Sequence, residues 1–121
     1  MNKPAMEFSQ LDLTTGWMSP PGFETAPIKQ RILSSDIDEK KKTGGRTRLL
    51  RYEPGAYLPQ SFVHDYWEEA YVLEGDMIVA GVKFLAHTYC CRPPGIPHGP
   101  FGSDTGCIVL EIHYYDESPK R

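Results

Sequence analysis

From residue 28 onward, short apolar stretches alternate with glycine, proline and polar turn residues along the chain. Aromatic residues make up 12% of the sequence, seven of them tyrosine, and this composition favours strands. The pattern predicts strands at about 28–33, 46–53, 70–74, 77–80, 83–85, 88–92 and 107–115. Short strands at such regular spacing are typical of a β sandwich or barrel, so we predict an all-β fold.

Glycine and proline limit the length of any helix. Eleven glycines and eleven prolines are spread over 121 residues, and the longest segment without either is 28–43, which is heavily charged. Because both residues interrupt helices, a helical bundle is excluded. The same residues mark turns, which we predict at Thr43-Gly44-Gly45, at Ala80-Gly81 and at Pro93-Pro94-Gly95.

Residues 1–27 form a separate part of the chain. They are rich in glycine and proline but also contain Trp17, Met18 and Phe23, which indicates an irregular arm with apolar anchors. Such an arm packs either on its own domain or on a second subunit, and the sequence leaves both possibilities open. We therefore divide the chain into an N-terminal arm (1–27), a barrel (28–116) and a C-terminal tail (117–121).

Composition and charge exclude several classes of protein. Hydrophobic residues make up 40% and charged residues 24%, which is typical of a globular domain. No apolar run approaches the ~20 residues of a membrane-spanning helix, and no export signal is visible, so we expect a cytoplasmic protein without a membrane partner. From Tyr52 to Pro119 there are ten acidic residues against two basic ones, and this excess predicts no nucleic-acid partner.

The three cysteines, Cys90, Cys91 and Cys107, are odd in number and lack the spacing of a zinc motif. We predict free thiols in a reducing compartment.

Two histidines and one glutamate are candidate metal ligands. His64 and Glu68 lie four residues apart in FVHDYWEEAYVLEG, and His98 lies in RPPGIPHGPF, each beside a predicted turn. Two neutral imidazoles and one carboxylate suit iron, manganese, nickel or zinc, and they form the facial triad of non-haem iron oxygenases. Gln60 and His113 are further candidate ligands.

The orientation of His113 depends on the last predicted strand, CIVLEIHYY. Alternation places Leu110, Ile112 and Tyr114 on one face and Val109, Glu111 and His113 on the other. The first set is the more core-like, so we predict that His113 faces outward or an interface. We expect His87 to be exposed in a turn far from the site.

The segment 55–114 resembles the cupins, also called RmlC-like proteins. Their first motif, G-x5-H-x-H-x3-E-x6-G, read back from Gly75, places its second histidine on His64 and its glutamate on Glu68. The second motif, G-x5-P-x-G-x2-H-x3-N, matches at Pro93, Gly95 and His98. The resemblance implies a small single-domain barrel, a double-stranded β-helix or jelly roll, with a metal site in its mouth.

The sequence departs from the cupin motifs at three positions. Phe62 stands where the first histidine belongs, His87 replaces the opening glycine of the second motif, and Gly102 replaces its final asparagine. Two interpretations follow: a three-ligand site with open positions, or a site that has lost its metal. We favour the retained metal, because the three remaining ligands form a chemically coherent set.

Within the cupins, HDxWEE, YVLEG and RPPGxPHGPF look most similar to the group near the cupin anti-sigma factors and the diketone- or dihydroxyacetophenone-cleaving dioxygenases. This resemblance implies a divalent ion, with Fe(II) preferred and zinc, manganese or nickel as alternatives. For the enzymes it implies oxygen-dependent C–C cleavage of a small carbonyl compound. The candidate residues of the substrate pocket are Phe62, Tyr66, Trp67, Tyr71 and Arg92.

Three functions are compatible with these residues. The favoured one is a metal-dependent, dioxygenase-like oxidoreductase with a small carbonyl or aromatic substrate. A non-catalytic ligand- or metal-sensing cupin module is the second, although the chain lacks the helical periodicity of a sigma-binding domain. A cupin isomerase or lyase is the third, and we disfavour it because only two basic residues, Lys83 and Arg92, lie between Tyr52 and Pro119. The arm and the exposed edges of such a barrel predict a homodimer.

Overall fold

The computed structural model describes residues 2–117, and over this range the chain forms strands, turns and irregular segments. The strands are β1 (Ile28–Ser35), β2 (Gly45–Tyr52), β3 (Tyr57–Leu58), β4 (Trp67–Val79), β5 (Val82–Leu85), β6 (Tyr89–Arg92), β7 (Phe101–Gly102) and β8 (Cys107–Tyr114). The predicted all-β fold is therefore confirmed. Within these residues, no helix has the length and apolar character needed to cross a membrane.

All paired strands are antiparallel and form one curled sheet in the order β1-β2-β8-β4-β7-β3, with β5 and β6 also paired to β4. The first part of β4 pairs with β8 and β6, and its last residues pair with β5 and β7. Strand β4 therefore belongs to both sides of the barrel, and its inward side chains meet those of most other strands.

The sequence predicts two strands where the structure has the single strand β4. Its pairing with β8 shifts between Val72 and Glu74, and Gly75 follows with a positive φ of 79°. A Cβ at Gly75 would lie 1.9 Å from the carbonyl oxygen of Gly106, so only glycine fits there. The bulge bends the strand without ending it. Strands β3 and β7 were not predicted, because two residues are too few to show a period.

The core lies between the inward faces of the curled sheet. Its buried members are Ile28, Leu50, Tyr52, Ala56, Leu58, Val72, Met77, Phe101, Cys107 and Val109. The three cysteines are free, as predicted.

The N-terminal arm contacts the barrel of its own chain. Met18 and Gln30 exchange two backbone hydrogen bonds of 2.9 and 2.7 Å, and Phe23 packs against the core. The guanidinium of Arg51 lies 4.6 Å from the centre of the Trp17 ring. The second half of the arm therefore packs on its own barrel, which is one of the two possibilities that the sequence left open. Of the predicted tail, residues 118–121 lie outside the described residues.

Candidate metal centre

The structure brings the three predicted ligands together at one end of the barrel. Glu68 lies on β4, His64 in the loop before it, and His98 in the loop after β6. The Oε2 atom of Glu68 lies 3.1 Å from His98 Nε2 and 4.0 Å from His64 Nε2. One donor atom from each residue lies within 4.8 Å of the others. The three side chains can therefore coordinate a single ion.

The two ligand loops are joined through their backbones. Phe62 and His98 exchange N–H···O hydrogen bonds of 2.7 and 2.9 Å, and Gly95 N–H donates to the His64 carbonyl at 2.8 Å. The ring of Phe62 packs between Phe23 and Phe101, with centroid distances of 5.7 and 6.0 Å. Phe62 thus fills the position of the missing histidine with apolar packing and fixes the loop that carries His98.

A backbone carbonyl fixes the tautomer of His98. Nδ1 of His98 lies 3.0 Å from the carbonyl oxygen of Ile96, which can only accept a hydrogen bond. Nδ1 therefore carries the proton in the neutral ring, and the lone pair of Nε2 faces Glu68. Histidines that bind metals are held in this way.

Glu68 has the properties expected of a metal-binding carboxylate. Its side chain is buried, and Oε2 has no hydrogen-bond partner among residues 2–117. Burial acts to raise the pKa of the Glu68 carboxyl, but the imidazoles of His113 and His98 hold it well below its usual range. A buried anionic oxygen without a hydrogen bond is unfavourable unless a cation neutralises it. The nearest cationic side chain is Arg92, whose Nη1 lies 3.7 Å from Oε2 without a hydrogen bond. The donor set and this oxygen without a hydrogen bond fit a divalent ion.

The pKa values of His98 and His64 shift in opposite directions. Interaction with Glu68 raises the pKa of His98. Burial lowers the pKa of His64, which favours the neutral imidazole that a metal requires.

The prediction that His113 faces outward is wrong. It is 1% exposed, lies opposite Glu68 in the β4–β8 ladder, and places Nε2 3.4 Å from Glu68 Oε1. The inward face of β8 consists of Cys107, Val109, Glu111 and His113, and the core-like residues between them face away from the interior. A second group of candidate metal ligands, with one donor atom from each residue within 4.8 Å of the others, consists of Glu68, Glu111 and His113.

Two arginines on β2 explain the burial of these polar groups. Arg46 and Arg48 lie opposite His113 and Glu111 in the β2–β8 ladder. Arg48 Nε donates to Glu111 Oε1 at 2.9 Å, and its Nη1 donates to Gln30 Oε1 at 2.8 Å. The sequence signal for this network is a shared two-residue period, with polar residues at 46 and 48 on β2 and at 111 and 113 on β8.

A cavity of about 560 Å³ extends from the three ligands into the barrel. Its inner walls are apolar and include Leu58, Val72, Met77 and Val109. Of the predicted pocket residues, Phe62, Tyr66 and Arg92 line it. Burial raises the pKa of Tyr66 to about 12, so its phenol stays protonated at neutral pH.

The other candidate residues lie outside the cavity. Because Glu68, Ala70 and Val72 point inward, alternation directs Trp67 and Tyr71 to the opposite face of β4.

Trp67 stacks on Tyr114 there, with the ring centroids 6.4 Å apart, and Tyr71 pairs through its hydroxyl with Nδ1 of His87 at 2.7 Å. Gln60 is exposed. His87 is exposed in a turn, as predicted.

A family model described as the ChrR Cupin-like domain matches residues 25–115. An acetylacetone dioxygenase from Acinetobacter johnsonii has a similar structure, with a TM-score of 0.68, 17% identity, and coverage of 97% of this chain and 83% of that chain. An RmlC-like cupin from Shewanella frigidimarina NCIMB 400 gives a TM-score of 0.65 at 20% identity, covering 93% of this chain and 95% of that chain.

The complex of Rhodobacter sphaeroides SigE with the anti-sigma ChrR gives a TM-score of 0.64 at 21% identity. This alignment covers 84% of the chain and 50% of the other chain. At these identities the likeness shows the fold. A search among curated proteins gives no match.

Proposed function

The chain belongs to the family of ChrR cupin-like domains, and we propose that it is a metal-dependent, dioxygenase-like enzyme acting on a small carbonyl or aromatic compound. The observation that carries this proposal is the buried Oε2 of Glu68, which accepts no hydrogen bond among residues 2–117 and lies beside two imidazoles at the end of a large cavity. The similar structure of an acetylacetone dioxygenase supports it.

His64, Glu68 and His98 would hold the ion, with Fe(II) preferred and zinc, manganese or nickel as alternatives. Three protein ligands leave positions for dioxygen and for two oxygens of a substrate. The ion supplies Lewis acidity toward a carbonyl oxygen and, as iron(II), reactivity with dioxygen.

The charges in the cavity indicate what kind of substrate would bind. Three arginines and three glutamates line it: Arg46, Arg48, Arg92, Glu39, Glu68 and Glu111. These charges balance one another, so a divalent ion leaves the cavity with excess positive charge. A ligand that binds through an anionic oxygen, such as the enolate of a β-diketone or a deprotonated α-hydroxyketone, would offset part of this excess.

The presence of Arg46 and Arg48 also corrects one argument from the sequence. A cupin isomerase or lyase was disfavoured because few basic residues follow Tyr52, yet β2 supplies two arginines to the cavity before that residue. The apolar inner wall remains the better argument for a small carbonyl compound, because such a substrate has little beyond its oxygens that needs a polar partner.

The test is metal content and oxygen uptake of the full chain, purified under nitrogen without added metal. We expect close to one equivalent of iron per chain and oxygen consumption with a β-diketone or an α-hydroxyketone. Glu68→Ala should lose both, whereas Glu69→Ala should keep both, because Glu69 accepts a hydrogen bond from Tyr89 on the outward face. Iron binding without oxygen uptake across these substrates would contradict the enzymatic proposal.

The alternative is a non-catalytic module that senses a metal or a small ligand, and the similar fold of the anti-sigma ChrR is the reason to test it. Bound zinc that persists during turnover assays, together with no oxygen uptake, would support this function over the enzyme.

We also propose that the chain forms a homodimer through the outward face of β4 and β8. Leu110, Ile112 and Tyr114 are partly exposed there, beside the Trp67 ring. Partly exposed apolar side chains grouped on one face are typical of an interface. Light scattering at micromolar concentration should give the mass of a dimer, Ile112→Glu should give a monomer, and Leu85→Glu on exposed β5 should not change the mass.

A further inference from the structure

His113 is the most buried histidine, and the function proposed above gives it no role. It is 1% exposed, and its Nε2 has no hydrogen-bond partner among residues 2–117. It also belongs to the second group of candidate metal ligands, with Glu68 and Glu111. Two roles are therefore possible on distance alone: a fourth ligand, or a group that acts on a ligand.

The contacts of Nδ1 decide between these roles. Arg46 directs two of its nitrogens at His113 Nδ1, with Nε at 3.2 Å and Nη2 at 2.8 Å. A guanidinium has only N–H donors, so Nδ1 must accept and cannot carry a proton. The neutral ring then carries its proton on Nε2, and an Nε2 that carries a proton cannot bind a metal.

The surroundings of Nε2 are those of a donor. Nε2 lies 3.4 Å from Glu68 Oε1 and 3.6 Å from Glu111 Oε1, and both carboxylate oxygens can only accept. Arg46 itself has no carboxylate partner among the described residues, so its donors remain directed at the imidazole and at the Tyr66 hydroxyl.

His98 has the opposite arrangement. Its Nδ1 donates to the carbonyl of Ile96, so its Nε2 keeps the lone pair. The two oxygens of Glu68 are divided accordingly: Oε1 faces the proton of His113, and Oε2 faces His98 and His64. One carboxylate thus has one oxygen facing the N–H of His113 and the other facing the lone pairs of the two candidate ligands.

We propose that His113 is a positioning residue and not a metal ligand: Arg46 fixes its Nε2–H tautomer, and that N–H orients Glu68 so that Oε2 faces the ion. The assignment rests on the proposed metal site. It excludes Glu68, Glu111 and His113 as a second metal site.

The first test is the tautomer itself, measured by long-range ¹H–¹⁵N correlation spectra of the full chain labelled with ¹⁵N. In metal-free protein, His113 should show the Nε2–H pattern and His98 the Nδ1–H pattern. On addition of Zn²⁺, the Nε2 resonances of His98 and His64 should shift, and those of His113 should keep the Nε2–H pattern. An Nδ1–H pattern for His113, or its conversion to a coordinated Nε2, would overturn the proposal.

The second test compares the zinc affinity of three variants. His113→Gln keeps an N–H donor near the position of Nε2 and should bind zinc within about threefold of the wild type. His113→Leu removes the donor and should weaken binding about 10- to 100-fold, the usual effect of losing a partner of a ligand. His98→Gln should abolish binding, and the exposed His87→Gln should leave it unchanged.

The two proposals fail in different ways. Loss of zinc from His113→Gln as complete as from His98→Gln would make His113 a ligand, and unchanged affinity of a folded His113→Leu would remove its positioning role. If the wild type binds no metal, the proposed function fails, and the tautomer spectrum of the metal-free protein still decides whether Arg46 fixes the ring as an Nε2–H donor.

Discussion

Two cross-strand pairs on the inward faces of β4 and β8 show how differently the two ends of the barrel interior are stabilised. Val72 lies opposite Val109, and Glu68 lies opposite His113, and all four residues are buried, with exposures of 5%, 2%, 5% and 1%. The valine pair is stabilised by burial of apolar surface alone. The Glu68–His113 pair is stable only with further partners. The site end of the barrel therefore depends on its polar network, whereas the apolar end does not.

The largest expected effect comes from a substitution that disrupts the strand shared by both ends. Gly75→Ala places a Cβ 1.9 Å from the Gly106 carbonyl oxygen at a positive φ of 79°. We expect it to lower the free energy of unfolding by about 3 kcal/mol or more, because strain and a backbone clash combine.

Gly81→Ala is the matched control for this substitution. Gly81 has a similar φ of 82°, but nothing lies within 4 Å of its added Cβ, so only about 1 kcal/mol should be lost. Urea denaturation measures both variants. Equal losses would show that the close approach at Gly75 does not determine the path of β4.

A second substitution acts at the site end alone. Arg48→Met removes the partner of Glu111 from a pair whose side chains are only 17% and 10% exposed. It should destabilise the protein by about 3 kcal/mol, because it leaves a buried carboxylate without its charge partner.

The double variant Arg48→Met/Glu111→Leu should regain most of that stability, since an apolar pair of similar size carries no desolvation penalty. Thermal or urea unfolding of the two variants gives the comparison. A double variant as unstable as the single one would mean that apolar packing cannot replace the Arg48–Glu111 pair at the site end.

The smallest effect concerns Asp76, a second buried carboxylate on β4. Unlike Glu68, it accepts hydrogen bonds from the backbone N–H groups of Asp104 and Thr105 at 2.8 and 2.7 Å. Burial acts to raise the pKa of Asp76, but the Thr105 hydroxyl and these N–H groups lower it to about 2.

Because this folded-state pKa lies below the ordinary value of 3.8, the ionised carboxylate stabilises the fold above about pH 4. About 2 kcal/mol of stability should be lost as the pH falls through 2. Unfolding measured from pH 5 to pH 2 should show a shallower decline for Asp76→Asn than for wild type. Asp104→Asn, in the exposed part of the same turn, should retain the wild-type slope.

These comparisons show which parts of the molecule the sequence could predict. Turn residues such as Gly81 and Gly95 act locally, so the number and order of most strands followed from their spacing. His64, Glu68 and His98 were identified because each lies in a motif whose turns place it. His113 could not be identified in this way, because its burial depends on Arg46, a residue of another strand. Alternation grouped the residues of β8 correctly, but the more apolar set was assigned to the interior.

The alternation along β8 has a further consequence for how the chain folds. A shift of one residue in the pairing of β8 would turn Ile108, Leu110, Ile112 and Tyr114 inward, and hydrophobic burial by itself would favour that slipped strand. The native pairing instead joins Arg48 to Glu111 and Arg46 to His113. These polar pairs therefore select the register against the hydrophobic effect. During folding, a strand that collapses early in the slipped register must separate again before the site end can form.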